Sequence, residues 1–255
     1  MSAQGLRFVA DLIEAERIPW PPTDEQVRAA GITRSYEECG LLVEQAGALN
    51  VSRAAAAWMF RQLSNERAKA EPTAAAIQPV VSGPCLVSGM RGTEDAFREI
   101  IDHAQHSILI TGFVLHNGPS VLRRLAARLD SDSKLDALLC LDVSRLPGDT
   151  TDSQAIIAAF VTRFRQDEWP GLRMPRLYYD PRSLSRGSSE HSVLHAKIAI
   201  ADSSRALIGS ANLTEAALKR NIELGVLVQL PAIVARIRDH LQMLIHNNVL
   251  VQAPL

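Results

Sequence analysis

The chain has 255 residues, 47% hydrophobic and 22% charged, which is a globular composition with enough material for a sizeable core. Lys and Arg total 27 against 28 Asp and Glu, for a net charge of −1, so bulk positive charge cannot hold this protein to nucleic acid and any phosphate binding must rest on a local patch. Cys39, Cys85 and Cys140 form no CxxC pair, which argues against a disulfide framework or a structural zinc site and fits a reducing cytosol.

The N-terminal stretch MSAQGLRFVADLIEAERIPW interrupts its apolar residues with charges, so it reads as neither signal peptide nor membrane span, and no run of about 18 apolar residues occurs anywhere. Residues 1–70 read as an all-helical module. Leu6, Val9, Ala10, Leu12 and Ile13 recur at helical spacing, Thr23 or Asp24 is a candidate N-cap, and Leu41–Val43 and Ala54–Leu63 are further helix candidates. Residues 35–63 have a spacing that a helix-turn-helix could use. The module carries 8 basic and 9 acidic residues, however, which favours a packing or partner-docking role over a DNA-reading helix. Residues 71–84, with Pro, Gly and weak periodicity, read as a linker or an edge element.

From residue 85 to 255 strand-like and helix-like stretches alternate. The strands fall at 107–115, 135–143, 172–179, 193–201, 205–210 and 222–230, and the helices at 93–104, 119–129, 153–164, 214–220 and 231–245. Apolar strands between amphipathic helices predict an α/β domain with a buried sheet.

Within it, His195 and Lys197 sit two apart in a strand pattern and so point to one face, which Ala199 and Ala201 keep uncrowded. Asp202 closes that strand at a turn. The return strand ends in Gly209-Ser210-Ala211-Asn212, where the glycine permits close backbone approach and Ser210 and Asn212 offer short hydrogen-bonding groups. Glu223 shares a face with Asn221 in the next strand, and Ile222, Leu224 and Val226 take the other. An acid in so apolar a strand needs a partner, and a histidine on a neighbouring strand is the natural one. The set suits phosphodiester cleavage. A neutral imidazole can attack phosphorus, Glu223 can fix its tautomer, and Lys197, Ser210 and Asn212 can hold the non-bridging oxygens.

HAKIAIAD followed by GSANLT resembles the HxKx4Dx6GSxN motif (HKD motif) of the phospholipase D superfamily, and Glu223 falls 28 residues after His195, as the glutamate of that family's small nucleases does. The resemblance covers residues 85–255 and implies a phospholipase-D-like mixed sheet flanked by helices. Within the superfamily, the single motif, the chain length, the helical N-terminal segment and the VSGP stretch resemble the phospholipase-D-like proteins of DISARM anti-phage systems. The family mechanism uses two such motifs face to face: one histidine forms a phosphohistidine and the other protonates the leaving group. One motif per chain therefore implies a homodimer with both His195 rings at one composite site. No metal or cofactor is required, and Asp202 is assigned a supporting role in the site.

His191 reads as a rim residue and His116 as a candidate substrate contact after the first strand. His103, His106, His240 and His246 read as surface or packing residues. Residues 163–186 hold six arginines with Trp169, Tyr178 and Tyr179 against three acids. That composition suits a single-strand nucleic-acid groove or, equally, a solvated loop with its aromatics in the core. The stretch 180–192 reads as a polar loop over the site. The expected activity is a cytosolic, metal-independent phosphodiesterase, a nuclease of phage defence, with DNA ahead of RNA as substrate. Two rivals stand beside it: a phospholipid hydrolase, and a nucleic-acid-binding or assembly subunit docking other defence proteins.

Overall fold

The computed structural model describes residues 3–29, 43, 45–46, 48–85, 87–187 and 191–254. It divides into two compact units, Met1–Ala75 and Ala76–Leu255.

In the first unit, helix α1 (Ala3–Glu14) packs Leu6, Val9, Ala10 and Ile13 against Ala57 and Phe60 of the long helix α3 (Arg53–Ala75). Polar groups at their edges are tied down. Ser64 Oγ donates to the Ala3 carbonyl at 2.7 Å, and the Arg53 guanidinium donates to the carbonyls of Ile13 and Ile18. The short helix α2 (Asp24–Ala29) begins with a reciprocal capping box, in which Gln26 N donates to Thr23 Oγ1 and Thr23 N donates to Gln26 Oε1. Thr23 is therefore the cap. The Leu41–Val43 helix candidate and much of the helix-turn-helix spacing lie outside the described residues.

Of the two readings of residues 71–84, the edge element is the one the sheet bears out. Helix α3 runs through Ala75, and Ile77–Ser82 forms strand β1, paired antiparallel with β10 (Glu223–Val228) from Ile77↔Val228 to Ser82↔Glu223. β1 belongs to the sheet of the second unit. Pro79, which read as a breaker, is tolerated because the two-residue strand β2 (Arg91–Gly92) pairs on that side only with Val80 and Val81.

Among the described residues the sheet has nine strands, in the order β11-β6-β5-β3-β7-β8-β10-β1-β2. Strands β3 (Ser107–Gly112), β5 (Asp136–Leu141) and β6 (Arg176–Tyr179) are mutually parallel, and β7 (Ile198–Ala201), β8 (Arg205–Gly209) and β10 continue antiparallel. β11 (Val251–Gln252) closes the far edge against β6. Burial on both faces explains the near-continuous apolar runs of the central strands. Ile108 and Ile110 face a core shared with helices α4 (Thr93–His103), α5 (Gly118–Val121), α6 (Arg123–Ser131) and α7 (Ser153–Arg163), while Leu109, Leu138 and Cys140 face Val234 and Leu241 of helix α9 (Pro231–His246). Burial pushes the Cys140 thiol up to about 12, as suits an inert core residue. No described helix is long and apolar enough to cross a membrane.

The arginine-rich segment follows the second of its two readings. Trp169, Tyr178 and Tyr179 are buried, and Trp169 stacks on Phe164 at 6.0 Å between centroids. Arg173 donates to three backbone carbonyls, Arg176 pairs with Asp136, Arg182 with Asp180, and Arg186 donates to Thr150 O. The aromatics are core, and four of the six arginines hold the chain to itself.

Asp202 is the turn residue between β7 and β8. It adopts a left-handed φ of +51°, which an aspartate tolerates better than most residues, and its carboxylate accepts the amides of Gln105, His106 and Ser107 at 2.8–3.0 Å. Burial alone would raise its pKa, but these three hydrogen bonds outweigh burial and hold it below the ordinary carboxylate value. Its stabilisation is therefore complete above about pH 4 and is lost as the pH falls through the depressed value. Asp202→Ala should cost about 2 kcal/mol in urea unfolding at neutral pH, with less lost in Asp202→Asn, which keeps an acceptor oxygen. Equal stability of the alanine variant would remove this role.

Candidate active site

The site gathers where the parallel strands end and the antiparallel ones turn. The β3 chain leaves the sheet at Phe113, β7 is entered through His195 and Lys197, β8 ends at Gly209-Ser210, and β10 begins at Glu223. Carboxyl ends of parallel strands are the usual ligand side of such sheets.

His195 and Lys197 do share one face. The Lys197 ammonium lies 3.2 and 3.3 Å from the two ring nitrogens of His195 and donates to the His195 carbonyl at 2.9 Å. Equidistance from both nitrogens means that this contact selects neither tautomer. Phe113 packs against both groups, its ring 4.8 Å from the His195 ring and 5.5 Å from the Lys197 ammonium, within cation–π range. Lys197 also borders an apolar cavity with Gly209, Gly225, Ile110 and Leu207. The two glycines are paired across β8 and β10, and a Cβ on Gly225 would fall 2.6 Å from the Ile208 carbonyl, so neither strand carries a side chain here. Burial pushes the Lys197 pKa down, and the charge of Glu223 pulls it partly back up.

Among the described residues Glu223 makes no hydrogen bond with His195; its carboxylate is engaged by Ser210. β8 lies between β7 and β10, so the acid stands two strands from the histidine, about 10 Å by strand spacing. No ion pair joins the two side chains among the described residues. The carboxylate instead accepts the Ser210 hydroxyl, whose oxygen also receives the Leu224 amide at 3.2 Å. Ile222 and Leu224 are exposed at the end of the sheet; Val226 alone of the three packs inward.

Asn212 Oδ1 accepts the Val114 amide at 3.4 Å, tying the motif loop to the residue after Phe113. The cap of the next helix, α8 (Glu215–Lys219), is Thr214, whose Oγ1 accepts the Ala217 amide. Asp202 is not at the site. It follows the other end of β7, seven residues or about 23 Å of extended chain from His195, so its support is to the fold. His116 is exposed beside Thr214 in the small parallel sheet of β4 (Leu115–His116) and β9 (Leu213–Thr214). His191 is exposed and lines a groove with Arg145 and Arg186.

Three residues had no place in the sequence reading: Phe113, Thr111 and Asp142. Phe113 and Asp142 each follow the last residue of an apolar parallel strand, which was the available signal. Asp142 accepts the Leu194 amide at 3.1 Å, next to the histidine. Among the described residues no three His, Cys, Asp or Glu side chains form a metal-binding group.

Residues 97–245, more than half of the chain, match the family described as "Cardiolipin synthase, PLD-like domain". The chain belongs to the phospholipase-D-like family. It is 27% identical over 160 residues to the DISARM protein DrmC of Bacillus paralicheniformis, an alignment that takes in 62% of this chain and 58% of DrmC. The chain thus spans less than two thirds of that relative's length. Among solved structures, the phospholipase D family member Nuc from Salmonella typhimurium aligns with 21% identity and a TM-score of 0.44, over 69% of this chain and 96% of Nuc. NucT from Helicobacter pylori aligns with 15% identity and a TM-score of 0.45, over 69% and 98%.

Since Glu223 raises the Lys197 pKa, Glu223→Gln should shift it further down. Titration of the lysine ε-carbon by NMR checks this, and an unchanged or higher value would separate the two charges.

Proposed function

We propose that this protein is a metal-independent phosphodiester hydrolase that cuts nucleic acid in anti-phage defence. The observation that carries the chemistry is the His195–Lys197 pair on one face, the cation against the ring at the open end of the sheet. A ring nitrogen of His195 attacks phosphorus, the P–O bond to the leaving group breaks, and the leaving oxygen takes a proton from a second imidazole. Water then attacks the phosphohistidine, the N–P bond breaks, and the second imidazole takes up the water proton. Lys197 neutralises the non-bridging oxygens, with Ser210 and Asn212 as further contacts. The second imidazole is His195 of another copy, because the motif occurs once per chain. The carboxylate of Glu223 acts on Lys197 and Ser210 in this scheme.

The defence role rests on the likeness to the DISARM protein DrmC, and the nucleic-acid substrate on the motif and on Glu223 falling 28 residues after His195, a spacing that resembles the family's small nucleases. They no longer draw on the arginine and aromatic segment, whose groups are engaged within the fold. A second reading has an observation of its own. Val114, Val193, Ile222 and Leu224, each near a site residue in sequence, are exposed, and an apolar rim suits a phospholipid better than a polyanion.

Purified protein with labelled DNA, RNA and phospholipid vesicles, with and without EDTA, separates the readings. Nucleic-acid cleavage that resists EDTA and vanishes in His195→Ala is the expected result. Cleavage confined to lipid would establish the second reading, and binding without any cleavage would leave an assembly subunit. Lys197→Ala should lower kcat by a factor of about 100 to 1000, the cost of a lost transition-state donor. Adding excess His195→Ala chain should depress wild-type activity through mixed dimers; activity unaffected by it would show that each chain works alone.

A further inference from the structure

β7 begins its regular ladder only at Ile198, so the residues that carry the chemistry, His195 and Lys197, precede it. What holds this entry segment extended is largely one side chain. Thr111, on the neighbouring strand β3 and only 1% exposed, donates its hydroxyl to the Ala196 carbonyl at 2.9 Å and accepts the Ile198 amide at 3.0 Å. The two bonds grip the backbone on either side of Lys197. On the other flank the Lys197 carbonyl receives the Gly209 amide at 3.2 Å, and upstream Asp142 holds the Leu194 amide. The backbone around Lys197 is thus fixed by its neighbours, while its ammonium turns to His195.

We propose that Thr111 is a positioning residue of the phosphate site, its hydroxyl setting the angle at which Lys197 meets the His195 ring and the bound phosphate. The inference rests on the assignment of His195 and Lys197 to phosphodiester chemistry. A threonine buried in an apolar strand needs partners for its hydroxyl, but helix and strand interiors offer many. This one spends both its donor and its acceptor on the two residues that bracket the lysine. No other hydroxyl does so among the bonds to this segment. Removing it leaves the Ala196 carbonyl and Ile198 amide to find each other's strand or water, and either choice rotates the peptide planes that aim Lys197.

The test uses full-length protein and a chromogenic aryl phosphodiester, so that it does not depend on the natural substrate. Thr111→Val keeps the shape and loses the hydroxyl; kcat should fall 10- to 100-fold. Thr111→Ser keeps the hydroxyl and should stay within about threefold of wild type. The double variant Thr111→Val/Lys197→Ala should be no slower than Lys197→Ala alone, since a residue acting through the lysine has nothing left to act on. Additive losses in the double variant, or wild-type kcat in Thr111→Val, would overturn the proposal. If the valine variant does not fold, Thr111→Cys takes its place, with a weaker hydrogen-bonding group and the same cycle. His195→Ala serves as the control: full activity there would sink the functional assignment itself, whereas an inactive His195→Ala beside an unaffected Thr111→Val sinks this inference alone.

Discussion

For His195 and Lys197 to share one face, the chain between Leu194 and Ile198 must be extended, because side chains two apart align only in that conformation. The sheet's own ladder does not yet impose it there. Extension is imposed from three sides instead: by Thr111 on β3, by Gly209 at the end of β8, and by Asp142 beyond β5. Each of these belongs to a different strand, so the geometry of the pair depends on the strand order of the whole sheet. A local motif is held by a global topology.

The same strand order decides what the acid does. In chain order β7, β8 and β10 follow one another as a meander, and a meander places its first and third strands on opposite sides of the second. Glu223 therefore cannot bond the His195 ring without reaching across β8. It does reach the longer Lys197 side chain electrostatically, through a row in which Gly209 and Gly225 contribute no bulk. The carboxylate offsets part of the desolvation that burial and Phe113 impose on the ammonium, and it anchors Ser210 at the rim.

Most of the second unit was legible because its strands are buried on both faces and its helices on one, which prints two distinct periodicities into the sequence. The helices at 93–104, 153–164 and 231–245 and the strands at 135–143, 205–210 and 222–230 differ from the observed elements mainly at their ends. β1 was not legible. Pro79 and Ser82 interrupt its apolar pattern, and only the six-residue register with β10 makes it a strand. The Lys197–His195 contact was legible from spacing alone. The displaced Glu223 was not, because residue spacing states which face a side chain takes and not which strands are neighbours. The Asp202 contacts were equally hidden, since its partners lie nearly a hundred residues upstream.

A lysine whose pKa is lowered by burial is a less hydrated cation, and a less hydrated cation gives up less when it meets a phosphate oxygen. Full neutralisation would defeat that purpose. Glu223 offsets part of that lowering without taking a hydrogen bond from the ammonium, which among the described residues donates to a backbone carbonyl and the imidazole and to no carboxylate. Direct pairing, of the kind Lys219 makes with Glu215 on the surface, would occupy the donors a ligand needs. One intervening strand, which carries only Gly209 in the row of Lys197, separates the acid from the ammonium, so that the two interact through charge and not through a shared proton.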